Sequence, residues 1–312
     1  MNWKKIGLFL AIAYGISYLA AAIIYFGAIE YGKFLSLFIV ACFYMPAPAF
    51  AALIVQKYIY KEPLSEIGWK WNGIQWKWMV ATILISMSFV LGTLGVIWVA
   101  GNSLGVPSFG MLDFSTEGII QKIAEIISSG GTDIPFDIEA ELEKMPFKIG
   151  AIPLILISFA GGIFGAFTVN LPFMFGEEFG WRGLLLKETQ QMGFVKSNFL
   201  IGMVWGLWHA PIILMGHNYP EYPVIGVGMM CLFTTSLAFP FAYIRFKTNS
   251  ILGPCVMHGM INGTAAITLY FIWGGHSLVT GITGVAGLIV ISTVAFAILV
   301  FDRKFLKEYP NL

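Results

Sequence analysis

Apolar runs of about 20 residues, the length a helix needs to cross a bilayer, recur from one end of this chain to the other and restrict its fold. They fall at 6–28, 34–55, 78–100, 149–175, 199–216, 222–244, 251–273 and 278–301. In hydrocarbon, every backbone N–H and C=O must be satisfied within the protein, so such runs become helices. The expected fold is all-α, a polytopic transmembrane bundle of about eight spans. The fourth run continues to Leu186, about twice the length of one span, with Pro153 and Pro172 as breaks.

Composition agrees with this reading. A chain that is 58% hydrophobic and 11% charged, with a mean hydropathy of +0.80, lies far outside soluble usage. A net charge of +1 gives no electrostatic case for a nucleic-acid partner; the bilayer is the expected one. Cys42, Cys231 and Cys255 sit in apolar runs without ligand spacing and read as packed thiols. Lys4 and Lys5 precede a first run long enough to span, so an uncleaved signal-anchor is expected.

The charges sort by side. With a cytoplasmic amino terminus, 14 of the 18 Lys and Arg fall in inner segments, and only Lys33, Lys122, Lys144 and Lys148 fall outside. This bias places both termini in the cytoplasm. Trp69, Trp71, Trp76 and Trp78 cluster as an interfacial belt would. Four parts follow: three spans in 1–100, an outer loop at 101–148, a core at 149–275, and a last span with a cytoplasmic tail at 276–312. In the outer loop, Ile119, Ile120, Ile123, Ile126 and Ile127 recur at helical spacing between a Ser115 cap and a Gly130 stop. That pattern predicts an amphipathic helix, with a solvated connector as the alternative. Gly161 and Gly165 predict a close helix contact.

The core holds ionisable groups where they are expensive, which makes them a functional hypothesis. Glu177, Glu178 and Arg182 interrupt a run almost free of charge. At i and i+4, Glu178 and Arg182 can pair as a structural support, which leaves Glu177 for chemistry. Trp205-Gly-Leu-Trp-His209 and His258-Gly-Met-Ile-Asn262 bring two histidines into later spans. A desolvated Glu177 can act as a general base, and neutral His209 can share the water. His258 and Asn262 can both donate to one oxyanion, among neighbours apolar enough to keep bulk water out. Helical rise puts His209 and His258 roughly 10–15 Å below the inner surface, in a cavity open to the cytoplasm. His217 and His276 fall in outer turns and are expected to be uninvolved. Two alternatives stay open. One is a zinc site on Glu177, His209 and His258 with Glu178 as base. The other is a transport or immunity protein whose polar cluster only holds helices together.

These residues resemble the three signature motifs of the CAAX-protease and bacteriocin-processing membrane family, which includes the type II CAAX prenyl endopeptidases. The resemblance covers about 149–273 and departs from the pattern at Trp205, where the family usually has Phe. It implies a glutamate-dependent intramembrane endopeptidase with Glu177 and His209 on the water and His258 and Asn262 as the oxyanion hole. Trp205 would then line the substrate cavity. No cofactor is implied, and the expected substrate is a prenylated or otherwise membrane-inserted peptide. The expected location is a prokaryotic cell membrane. Cysteines placed at Lys61 and Lys307 should be labelled from the cytoplasm, and one at Glu139 from the outer face. Labelling of position 139 from the cytoplasm would invert this topology.

Overall fold

The computed structural model describes residues 1–70, 72–129 and 150–311. Trp71, Gly130, Glu139, Lys144 and Lys148 therefore lie outside the described residues. The described chain is almost wholly helical, with one two-residue antiparallel pairing between Met111–Leu112 (β1) and Ile272–Trp273 (β2).

Among the described residues, four helices are long and apolar enough to cross a membrane: Trp3–Phe26 (α1), Phe34–Ile59, Trp76–Ser103 and Pro223–Lys247. Two bent pairs raise the number to six when each is taken as one span. They are Ala151–Phe167 with Leu171–Met192, bent by 61°, and Val285–Phe301 with Arg303–Asn311, bent by 77°. This is a multi-pass membrane protein. The other two apolar runs are helical but broken. One gives Phe194–Trp208 (α2) and Ala210–Leu214 (α3), the other Leu252–Thr264 (α4) and Ala266–Leu269. Each motif-bearing run is thus interrupted, and such backbone is tolerated at membrane depth where protein buries it.

Proline explains several of the breaks. Pro172 and Pro211 both stand in the first turn of a new helix, where a missing N–H costs nothing. Pro153 does the same for Ala151–Phe167 (α5). The fourth run breaks at Thr168–Asn170, where the Asn170 side-chain amide donates to the Gly259 carbonyl over 3.1 Å. Four stretches are π-helical among the described residues: Val40–Tyr44, Ile54–Ile59, Trp98–Ser103 and Phe179–Leu185. The last follows directly on Glu178, and wide turns of this kind gather at functional sites.

The expected glycine contact occurs in a different register. A Cβ on Gly161 would meet nothing within 4 Å, and one on Gly165 only the Asn170 amide at 3.5 Å. A Cβ on Gly162 would lie 2.3 Å from Thr264 Cγ2, and one on Gly259 2.9 Å from Ala166 Cα. Helices α5 and α4 therefore touch through Gly162, Ala166, Gly259 and Gly263. The spacing of small residues was readable, but the face of α5 that turns to α4 was not.

The segment that follows Trp76–Ser103 packs on the bundle. Ser115 Oγ accepts the Gly118 N–H over 3.0 Å and caps the helix Thr116–Ser129, whose Ile119 is fully buried. Lys122 lies over the Trp273 ring, and Asp113 N–H donates to the Phe271 carbonyl. At the opposite end of the bundle, buried Lys5 is 2.5 Å from Glu62 and 2.9 Å from Glu188. A lysine is buried only when paired. This one ties the start of α1 to the residues just past the Glu177 segment.

Gly161→Ala should leave the melting temperature unchanged or raise it, because the position is open. Gly162→Ala should destabilise by about 1–3 kcal/mol through overpacking against Thr264. Equal effects in a detergent thermal melt would contradict the α5–α4 contact.

Candidate active site

Three interrupted helices bring the polar residues together. Leu171–Glu178 (α6) ends on the Glu pair, α2 carries Trp205 with His209 at its carboxyl end, and α4 carries His258 and Asn262. Helix α2 is held close to Pro223–Lys247 (α7) by two glycines. A Cβ on Gly202 would lie 2.3 Å from Thr235 Cα, and one on Gly206 2.5 Å from Cys231 Cα. That contact leaves Trp205 and His209 little freedom to shift.

Glu178 and Arg182 form the expected pair. Arg182 Nη1 lies 3.1 Å from both Glu178 oxygens, and both side chains are buried. The guanidinium carbon is 4.1 Å from the Trp205 ring centroid and 4.4 Å from that of Phe241. Its Nε and Nη2 have no hydrogen-bond partner among the described residues, so the ring faces supply part of the stabilisation. Glu178 has a second contact that spacing did not reveal. His258 Nδ1–H donates to Glu178 Oε1 over 2.9 Å, which turns Nε2 of the ring away from Glu178. Glu178 therefore orients His258 as well as pairing Arg182.

Glu177 keeps apart from this pairing. Its Oε2 accepts the Trp205 indole N–H over 3.0 Å, and its Oε1 takes no hydrogen bond among the described residues. His209 Nδ1 donates to the Trp205 carbonyl over 2.8 Å. A carbonyl only accepts, so Nδ1 carries the proton and Nε2 keeps its lone pair. Asn262 Nδ2 touches Met174 Sδ at 3.4 Å, a weak contact that a better acceptor would displace.

Glu177, Trp205, His209, His258 and Asn262 line one cavity of about 290 Å³, while Glu178 and Arg182 stand behind its wall. Apolar side chains including Ile212, Met230, Phe233, Leu237 and Ile261 form much of the rest. Two expectations are corrected here. His217 belongs to the cavity wall together with Asn218. The Tyr31 hydroxyl reaches its Nδ1 at 2.9 Å, and burial holds its ring down to about 4. A lone histidine in a turn carried no sequence signal for this, because the backbone of 215–217 folds back onto Ile212 and Ile213.

The cavity lining also reaches the end of the bundle opposite the one expected. Its far end reaches Asn218, Ile282 and Thr283, in the turns at the amino-terminal ends of α7 and of Val285–Phe301. Lys5, Lys187 and Lys247 lie at the opposite end, Lys5 and Lys187 beside Glu62 and Lys247 beside Asp302. Asn262 and Asn218 are its exposed lining residues, so Asn262 stands at a rim rather than in a closed pocket. Tyr44 was also missed. It lies in the π-helical stretch Val40–Tyr44, lines the cavity, and its hydroxyl donates to the Trp208 carbonyl. His276 stacks on Tyr222 outside the cavity. Among the described residues, no three His, Cys, Asp or Glu side chains converge as metal ligands.

Residues 148–264 match the family model described as type II CAAX prenyl endopeptidase Rce1-like. That stretch contains every residue of the three motifs, so the resemblance read from them holds over this part of the chain. A CAAX prenyl protease 2 from Methanococcus maripaludis is 24% identical over 140 residues, covering 42% of this chain and 48% of the relative. The chain thus spans about half the length of the curated relative it matches.

A membrane-impermeant thiol reagent should reach Asn262→Cys and Asn218→Cys from the same side of a proteoliposome. In that assay Lys247→Cys should react from the other side. Labelling of Asn262→Cys only from the Lys247 side would contradict the direction of the cavity.

Proposed function

We propose that this chain is an intramembrane endopeptidase that hydrolyses a peptide bond near the carboxyl end of prenylated, CAAX-type or other membrane-inserted peptides. One observation carries this reading. Four groups with complementary chemistry line one apolar cavity, and the nearest charged neighbours, Glu178 and Arg182, are already committed to each other.

Glu177 Oε1 and His209 Nε2 are both acceptors, and together they hold and deprotonate a water molecule. The water oxygen attacks the scissile carbonyl carbon, and its proton passes to Glu177. The oxyanion then needs donors. As imidazolium, His258 keeps Nδ1–H on Glu178 and offers Nε2–H to the oxyanion beside Asn262 Nδ2. Collapse breaks the C–N bond, and the proton held by Glu177 passes to the leaving amine. The apolar wall accommodates a prenyl or aliphatic chain next to the bond. No step in this scheme uses a metal, and the protein acts in a prokaryotic cell membrane.

Mass spectrometry of a farnesylated CAAX peptide incubated with purified protein should show loss of the last three residues. Glu177→Gln should lower turnover by about 10²–10⁴-fold with little change in melting temperature. Asn262→Ala should lower kcat by about 10²–10³-fold with KM nearly unchanged. Activity should survive a chelator. Full turnover by Glu177→Gln would remove the general base from this scheme, and abolition by a chelator with rescue by zinc would favour the metal alternative.

A further inference from the structure

Trp205 touches the site at several points. Its N–H donates to Glu177 Oε2, its ring face lies against the Arg182 guanidinium, and its carbonyl accepts the His209 Nδ1–H. Its ring also stands 5.4 Å from that of His258. The indole is buried, and α2 is pinned to α7 at Gly202 and Gly206, on either side of it. A tryptophan N–H has one direction and no acceptor capacity. Here that direction is occupied by a carboxylate oxygen.

We infer that Trp205 is a positioning residue for Glu177: the indole N–H holds Oε2, fixes the plane of the carboxylate and leaves Oε1 for the attacking water. This rests on the hydrolytic role proposed for Glu177. A hydrogen bond to the charged form of a carboxylate favours that form, so loss of the N–H should make activity fall away at a higher pH than in wild type. Among the described residues, the other titratable or charged groups around Glu177 and its cavity are Glu178 and Arg182 on its own segment, His209 at the end of α2, His217 in the turn after α3, His258 on α4 and Tyr44 on the π-helical stretch. Trp205→Phe changes none of them. Phenylalanine keeps a ring over Arg182 and a backbone carbonyl for His209, and it removes only the N–H and part of the ring.

The test compares wild type with Trp205→Phe on the farnesylated peptide across pH. The acid limb of kcat/KM should move up by about one pH unit, the scale expected for one charge-assisted hydrogen bond. Activity should recover towards wild type on the alkaline side. A uniform loss at every pH, or an unchanged profile, overturns the inference. A second readout needs neither substrate nor a folded Trp205 variant. In protein labelled with ¹⁵N-indole tryptophan, one indole N–H resonance should titrate with pH in wild type and become pH-independent in Glu177→Gln. No titrating indole resonance, or one that still titrates in Glu177→Gln, also overturns it. Wild type that cleaves nothing, yet shows the titrating indole, removes the proposed hydrolysis and leaves the Trp205–Glu177 contact standing.

Discussion

Arg182, buried between the rings of Trp205 and Phe241, is the group on which the rest of the site depends. A guanidinium cannot shed its charge in a protein, so burial commits the surroundings to an anion. Glu178 supplies it, and having done so it also fixes the ring of His258. Two adjacent glutamates are thereby made unequal. Glu178 is held by Arg182 and His258 behind the cavity wall, while Glu177 faces the cavity with one oxygen on an indole and the other without a hydrogen bond among the described residues. The difference comes from where each side chain points as α6 gives way to the wide turn of Phe179–Leu185.

Broken helices are how the membrane setting permits such a site. A continuous helix satisfies its own backbone but offers only side chains to a cavity. At the end of α2 the helix stops after Trp208, and the Trp205 carbonyl takes His209 Nδ1. Asn170 occupies the gap between α5 and α6 and takes up the Gly259 carbonyl of α4. Close glycine contacts between α5 and α4 and between α2 and α7 then hold these pieces in register. The irregularity that makes the site is thus confined to places where neighbouring helices cover it.

Much of this was legible in the residues. The apolar runs announced a helical membrane protein, and Glu178 and Arg182 four apart announced their pair. Glu177, His209, His258 and Asn262 stood out as polar groups in apolar surroundings, and they share one cavity. What was not legible depends on azimuth and on breaks. Helical period gives a face but not the neighbour it meets, so the small-residue contact was read at Gly161 and formed at Gly162. Nothing in a sequence distinguishes an α turn from the π turns at Val40–Tyr44 and Phe179–Leu185, which aim Tyr44 inward and change the orientation past Glu178. Charge bias orders the loops, yet it is silent on which end of the bundle a cavity opens. That is why His217 and Asn218 were passed over. The indole hydrogen bond to Glu177 was hidden for a related reason, since Trp205 read as an aromatic wall and its N–H has meaning only once a direction is known.

The inequality of the two glutamates is tested most directly by thermal unfolding of Glu177→Gln and Glu178→Gln in the same detergent. If Glu178 is the counter-ion of a buried Arg182, its neutralisation should cost about 3–5 kcal/mol, the range for breaking a buried ion pair. Glu177→Gln should then melt close to wild type, because an amide oxygen still accepts the Trp205 N–H. Equal losses, or a larger loss for Glu177→Gln, would contradict the division of roles on which the site rests.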